Sequence, residues 1–343
     1  MPGVEILARL TVLGSLNMDI SVTVPALPAP GATVLGGAAT FAPGGKGANQ
    51  AVAAARLGAG IRVRMVGCVG DDDFGRALKA TLGREGVDDS TVRTVPGAPT
   101  GIAMITVDHA GENIITVAPG ANREVRQQDI AALSEPAGDL PSVLVISAEV
   151  PVPAILAALA VAGGATPATP AAAPALTVVN LAPAPPREEA AAILAQRPDW
   201  LVVNESEAAA ALGRPVSGLQ EAARAATDLV KAGAGNAVVT AGAAGAACQV
   251  AQEPSPRTIP AFAVHARDTV GAGDTFVGAL AVSLARGIGP AEAVTAASAA
   301  AAAAATRPGT QAGMPRPADI RAATGYEWPV PSRDNASSRQ SKR

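Results

Sequence analysis

Asp268 and Asp274 flank Gly271 and Gly273 in the run Arg-Asp-Thr-Val-Gly-Ala-Gly-Asp-Thr-Phe-Val-Gly, residues 267–278. Glycine carries no Cβ, so the backbone can turn tightly here and offer its N–H groups to an anion. From 275 to 285 apolar residues recur at helical spacing. That places those N–H groups at a helix N-terminus, where unpaired donors and the helix dipole attract phosphate. Asp274 then lies beside the anion, within reach of the proton of an attacking hydroxyl, a layout suited to phosphoryl transfer. A glycine turn with Asp274 as a plain helix cap is the alternative these residues leave open. Spacing excludes two others: the glycines do not follow G-x-G-x-x-G, and there is no Gly-Lys-Ser/Thr of a nucleoside triphosphatase loop.

The elements that must position this run alternate between strand and helix, which predicts an α/β sheet with helices on both faces. A short apolar strand at 10–14 leads into Gly-Ser-Leu-Asn-Met-Asp and is expected to deliver Asn17 and Asp19 at its carboxyl end, the edge where open α/β sheets bind ligands. Both residues are also common turn formers. Prolines and glycines among the Val, Leu and Thr of 20–41 predict short strands outside the main sheet. Residues 43–50 read Pro-Gly-Gly-Lys-Gly-Ala-Asn-Gln before a helical pattern at 51–57, a second glycine turn whose Lys46 can reach an anion.

A strand at 63–70 precedes Asp71-Asp72-Asp73, which suits a helix start better than a divalent metal. Residues 100–117 predict a hairpin with His109 exposed at its turn. The first strand is apolar on both faces, so its outer face requires cover. Strands at 143–149, 176–183 and 200–204 end near Glu149, Asn180 and Asn204, and another precedes Thr-Ala-Gly-Ala-Ala-Gly at 240–245. Residues 162–175 read as a surface loop, 296–306 as a helix, 307–313 as a loop and 329–343 as a disordered tail.

The run 268–278 resembles the C-terminal signature of the ribokinase-like carbohydrate kinases, also called the phosphofructokinase-B family. Gly-Gly-Lys-Gly-Ala-Asn-Gln-Ala at 44–51 is similar to the N-terminal signature, and further motifs follow in order to about Pro317. The resemblance implies one kinase domain over 1–328, a three-layer α/β fold with a mostly parallel central sheet. A small β-sheet lid would come from about 18–42 and 99–118 and pair into a homodimer. It implies Asp274 as catalytic base, with Asn17, Asp19, Gly44, Gly45, Lys46, Asn49 and Glu149 joining it around the sugar. Gly271, Ala272 and Gly273 would form the anion hole, with Asn204, Thr240, Gly242, Gly245 and Ser298 along the nucleotide.

By the same resemblance Glu207 would hold Mg2+ through water, and Asp268, Val270, Ala304, Arg307, Gly309 and Gly313 would surround K+. Gly313 stands where the family often has Ser, so one side-chain oxygen is missing. The implied reaction is ATP-dependent phosphorylation of the 5-hydroxyl of D-ribose to D-ribose 5-phosphate and ADP. A sister kinase for another sugar, deoxyribose or a nucleoside is the first alternative, and a sugar-binding regulatory protein without turnover is the second.

Composition agrees with small-molecule chemistry. With 2% aromatics and a net charge of −3, the 343 residues lack the basic, stacking surface of a nucleic-acid binder. No basic region followed by a long apolar stretch opens the chain, and the alanine-rich run at 296–305 falls short of the roughly 20 residues a bilayer requires. Cys68 and Cys248 sit in apolar strand-like runs, as free buried thiols of a cytoplasmic protein would.

Overall fold

The computed structural model describes residues 8–131, 133, 142–163 and 175–329. The surface loop expected at 162–175 falls almost wholly outside them, as does the tail from 330 onward. Nine strands form the large sheet: β1 (Ala8–Leu13), β4 (Ile61–Gly70), β5 (Val92–Val95), β8 (Val143–Ser147), β9 (Leu176–Asn180), β10 (Trp200–Asn204), β11 (Asn236–Thr240), β12 (Ala246–Val250) and β13 (Arg257–Ile259). Their order is β13-β12-β11-β10-β9-β8-β1-β4-β5. From β5 to β11 every neighbouring pair is parallel; β12 alone runs against the rest, antiparallel to both β11 and β13. Parallel strands covered on both faces read as continuous apolar runs, and Val-Leu-Val-Ile-Ser of β8 is buried at every residue.

Two separate cores cover the sheet. One face packs against α1 (Lys46–Leu57), α2 (Asp73–Arg84), α8 (Ala272–Ala285), α9 (Pro290–Ala305) and α11 (Pro317–Thr324), with the short α10 (Thr310–Gly313) beside α1. The other packs against α3 (Gln127–Ala131), α4 (Val152–Ala162), α5 (Arg187–Ala195), α6 (Glu205–Leu212) and α7 (Gly218–Lys231). This is the expected arrangement of helices on both faces of a mostly parallel sheet. With so few aromatic side chains, alanine supplies much of the tight packing: α1, α8 and α9 bury Ala51, Ala53, Ala279, Ala281, Ala296 and Ala300 completely.

A second sheet of four strands, β2 (Asn17–Val24), β3 (Thr40–Gly44), β6 (Gly101–Asp108) and β7 (Asn113–Ala118), has the order β3-β2-β6-β7. It contains the expected hairpin, whose turn is closed by Asp108 Oδ1 accepting from the N–H groups of Ala110 and Glu112. Every residue of β7 is exposed, and Phe41, Met104, Ile114, Ile115 and Val117 present apolar side chains to solvent.

Four boundaries differ from the sequence expectation. Asn17 and Asp19 do not sit at the end of β1: only Gly14, Ser15 and Leu16 separate β1 from β2, and both polar residues belong to the second sheet. Period-two alternation turns them to one face of it. Helix α8 begins at Ala272 with Gly271 as its cap at φ 78°, so Asp274 lies inside the first turn and is not the cap. Helix α9 starts at Pro290, where proline's fixed φ favours a first turn, rather than at 296. The expected loop at 307–313 closes into the short α10.

Asp72 caps α2, accepting from Gly75 N–H at 2.8 Å, and its carboxylate also takes Thr100 N–H at 2.7 Å and Thr100 Oγ1 at 2.6 Å. The acidic run therefore serves as a helix start that ties β6 to the large sheet's layer.

Candidate active site

Two helices aim their N-termini at the same point. Gly45 caps α1, so Lys46, Asn49 and Gln50 occupy its first turns on one face, at the i, i+3 and i, i+4 spacings that make neighbours. Gly271 caps α8 in the left-handed region that glycine adopts without strain, and Asp274 follows in the first turn. The helices pack closely because Gly278 is bare: a Cβ there would lie 2.7 Å from the Gln50 carbonyl oxygen and 2.8 Å from Ala53 Cβ. That approach brings Lys46 and Asp274 to one cavity, lined also by Gly271, Gly273, Asn180, Asn204, Glu207 and Thr240. Asn180, Asn204 and Thr240 are the last residues of β9, β10 and β11, so the cavity sits at the carboxyl edge of the large sheet.

Asp274 is held on both oxygens. Asn49 Nδ2 donates to Oδ2 at 2.9 Å and Gln50 Nε2 to Oδ1 at 3.1 Å. Each donor is fixed in turn: Gln311 Nε2 donates to Asn49 Oδ1 at 3.1 Å, and Gln50 Nε2 also donates to Asn180 Oδ1 at 3.0 Å. Around Glu149 a second network gathers, with Ser15 Oγ, Asn17 Nδ2 at 3.2 Å and Lys46 N–H at 3.4 Å all donating to Oε2. Asn122 sets the orientation of Asn17 by donating from Nδ2 to its Oδ1 at 2.7 Å while accepting from Leu16 N–H. Gly44 pairs with Asn17 in the small sheet, opposite the strand that carries Asp19.

Lys46 serves several carboxylates at once. Burial works to lower its pKa, but the charges of Asp274, Glu149, Glu207 and Asp19 outweigh it and leave the ammonium above its ordinary value. Asp19 moves the other way from an ordinary carboxylate. Burial first, then the charges of Glu149 and Asp274, push it up to about 7 against the pull of Lys46. Burial also raises Glu207, opposed by the Asn204 N–H and by Lys46.

Asn204 and Glu207 form a reciprocal cap on α6: Asn204 Oδ1 accepts from Glu207 N–H at 2.8 Å, and Glu207 Oε2 from Asn204 N–H at 2.9 Å. A single carboxylate lining the same cavity as Gly271 and Gly273 suits Mg2+, which keeps most of its waters. At the first turn of α8 the Ala272 N–H is taken by the Thr269 carbonyl at 3.2 Å. Among the described residues, the N–H groups of Gly273 and Asp274 are the remaining donors of that turn.

The loops expected around a monovalent cation do adjoin. Asp268 Oδ1 accepts from Val270 N–H at 3.0 Å and Oδ2 from Gly309 N–H at 2.9 Å, while the Arg267 N–H reaches the Ala305 carbonyl at 2.7 Å. Ala304 accepts from Arg307 N–H and Gly309 from Gly313 N–H, so the six expected residues lie in two linked segments, the turn before α8 and the stretch from the end of α9 through α10. Main-chain carbonyls such as these loops carry are ligands that suit potassium.

Gly242 and Gly245 bracket a single 3-10 turn after β11. Ser298, like Gly242, Gly245, Asn17, Asp19, Asn49 and Glu149, is not among the residues that line this cavity, and its hydroxyl donates back to the Val294 carbonyl at 2.9 Å within α9. Sequence reasoning gave no role to Gln50, Asn122, Asn180 or Gln311. The Lys46-to-Gln50 spacing was a usable signal for the first, whereas Gln311 meets Asn49 only through tertiary packing.

The chain is similar to known proteins along most of its length. The family model "pfkB family carbohydrate kinase" matches residues 7–317. A ribokinase of Haemophilus influenzae is 35% identical over 308 residues, 89% of this chain and 95% of that one. A deoxyribokinase of Salmonella typhi is 33% identical over 274 residues, 79% of this chain and 84% of that one. The solved structure of a ribokinase of Arabidopsis thaliana, complexed with ribose and ATP, superposes with a TM-score of 0.79 at 26% identity over 93% of this chain and 99% of its own. With its two signature turns meeting at one cavity, the chain belongs to the pfkB family of carbohydrate kinases.

Proposed function

We propose that the protein transfers the terminal phosphoryl group of ATP to the 5-hydroxyl of D-ribose, giving D-ribose 5-phosphate and ADP. The observation that carries this reading is the meeting of Lys46 and Asp274 in one cavity with the Asp274 carboxylate held on both oxygens. Asp274 accepts the hydroxyl proton as the bond to phosphorus forms, which is general-base work at a reaction dominated by positioning and charge. Asn17, Asp19, Lys46, Asn49 and Glu149 orient the sugar, with Gly44 and Gly45 supplying backbone beside it. The N–H groups of Gly273 and Asp274 face the transferred phosphoryl oxygens, while Gly271 and Ala272 form the turn. Asn204, Thr240, Gly242 and Gly245 lie along the nucleotide.

Mg2+, held by Glu207 through water, supplies charge neutralisation on the phosphates when bound. Residues Asp268, Val270, Ala304, Arg307, Gly309 and Gly313 carry the backbone suited to K+, which would rigidify the α8 turn. Residues 1–328 act as one kinase domain whose small sheet is a lid over the sugar. The apolar side chains that β6 and β7 present to solvent support a homodimer formed lid to lid. Buried free thiols at Cys68 and Cys248 support a cytoplasmic setting, and among the described residues no helix is long and apolar enough to cross a membrane.

Phosphorylation of deoxyribose is the second reading, favoured by the similarity to a named deoxyribokinase. A coupled assay of ADP release with ribose, deoxyribose, fructose and nucleosides, in K+ and then Na+, separates the two. Ribose is expected to give the highest kcat/KM. A tenfold preference for deoxyribose or a nucleoside would overturn the substrate assignment, and sugar binding without ADP release would overturn the enzyme.

A further inference from the structure

We propose that Gln50, locked by Asn180, is a positioning residue that fixes the plane of the Asp274 carboxylate. The proposal rests on Asp274 acting as the base. Asn49 alone donates to a single oxygen and leaves the carboxylate free to turn about its Cβ–Cγ bond. The second donor, Gln50 Nε2 at 3.1 Å from Oδ1, removes that freedom.

The orientation of Gln50 is itself determined. Asn180 Nδ2 donates to the Val202 carbonyl at 3.0 Å, which leaves Asn180 Oδ1 facing Gln50 Nε2 at 3.0 Å. The two hydrogens of Nε2 are thus matched to two acceptors, Asn180 Oδ1 and Asp274 Oδ1. A flipped amide would set its oxygen against both. Gln50 is wholly buried, and its own Oε1 has no hydrogen-bond partner among the described residues. Buried groups of that kind in folded proteins call for an explanation beyond packing. Here the explanation is a link from β9, at the centre of the sheet, to the reacting group: Val202 carbonyl, Asn180, Gln50, Asp274. A carboxylate held in the attack plane raises turnover without adding to sugar affinity, because misplacement by a fraction of an ångström costs rate more than binding.

The test compares Gln50→Met, unbranched and of similar length, with Asn180→Leu and the double variant. Each is read for kcat in ADP release and for the Kd of D-ribose by calorimetry. Gln50→Met is expected to lower kcat about tenfold or more with ribose Kd changed by less than about threefold. Asn180→Leu, which does not touch Asp274, is expected to lower kcat less, again at constant Kd. The double variant should be no slower than Gln50→Met alone, because Asn180 acts only through Gln50.

Losses that multiply in the double variant, or kcat and affinity falling together, would overturn the proposal, as would wild-type kcat in Gln50→Met. If Gln50→Met is insoluble, the Asn180→Leu split between kcat and Kd decides alone. If the wild-type chain releases no ADP with any sugar, the reading of Asp274 fails and this inference with it. Wild-type turnover beside an unimpaired Gln50→Met would sink this inference only.

Discussion

The two halves of the cavity are built in opposite ways. Around the half proposed to face the sugar, Asn17, Asp19, Asn49 and Asp274 are all less than a tenth exposed, and Asn17, Asn49 and Asp274 are bonded into cross-linked networks. On the side proposed to face the nucleotide Gly242, Ala243 and Ala244 are exposed, the 261–270 loop is largely open, and the groups on offer are backbone amides and a reciprocal helix cap. The first presents side chains whose positions depend on several others. The second presents mainly backbone, which any residue of suitable size supplies. A small acceptor with many hydroxyls needs the first kind of site, and a polyphosphate can be held by the second.

If this contrast is right, substitutions in the first half have large effects and those in the second small ones. Asp274→Asn keeps shape and hydrogen-bonding capacity but removes the base. It is expected to lower kcat by about 10² or more while ribose affinity, by calorimetry, changes little. Near-normal kcat would place the base elsewhere. Lys46→Met strips the common counter-charge from four carboxylates, and ribose affinity should fall by about 30-fold or more, the scale for breaking a desolvated charge pair from one side. An unchanged Kd would show that Lys46 faces solvent in the working enzyme.

Asp19 sharpens the comparison through pH. Its pKa rises from 3.8 to about 7 on folding, so between those values the folded chain binds a proton that the unfolded chain has lost. Stability contributed by this group is therefore full below pH 3.8, falls across the window and stays flat above about 7. Asp19→Asn should accordingly raise Tm at pH 8 and leave it nearly unchanged at pH 3.5, while weakening ribose binding about tenfold. An equal Tm shift at both pH values would remove the electrostatic explanation. At the small end, Ser298→Ala is expected to change the KM for ATP by less than about twofold, as for a side chain whose hydroxyl is already bonded to its own helix. A tenfold rise would return Ser298 to the adenine.

Both glycine turns were legible in the sequence because each is local: bare residues immediately before a helical pattern. The alternation of strands and helices likewise gave the layered sheet. Asn17 and Asp19 were assigned to the wrong sheet because the break at 14–16 looks like the end of any strand, and what makes 17 onward a new one is pairing with Gly44 and Gly101 far along the chain. Register of that kind is set by tertiary partners, not by the segment itself. The start of α9 was missed because alanine carries little periodicity, although Pro290 marked it. Gln311 and Asn180 had no local signal, since their partners are Asn49 and Gln50 on a helix more than 100 residues away.

The most direct measurement is ADP release by the purified chain with ATP, Mg2+ and D-ribose, followed by NMR assignment of the phosphorylated oxygen. Asp274 as base over a sugar held by Asn17, Asp19 and Lys46 predicts one D-ribose 5-phosphate per ADP. Ribose bound without ADP release, or phosphate found on another hydroxyl, would contradict it.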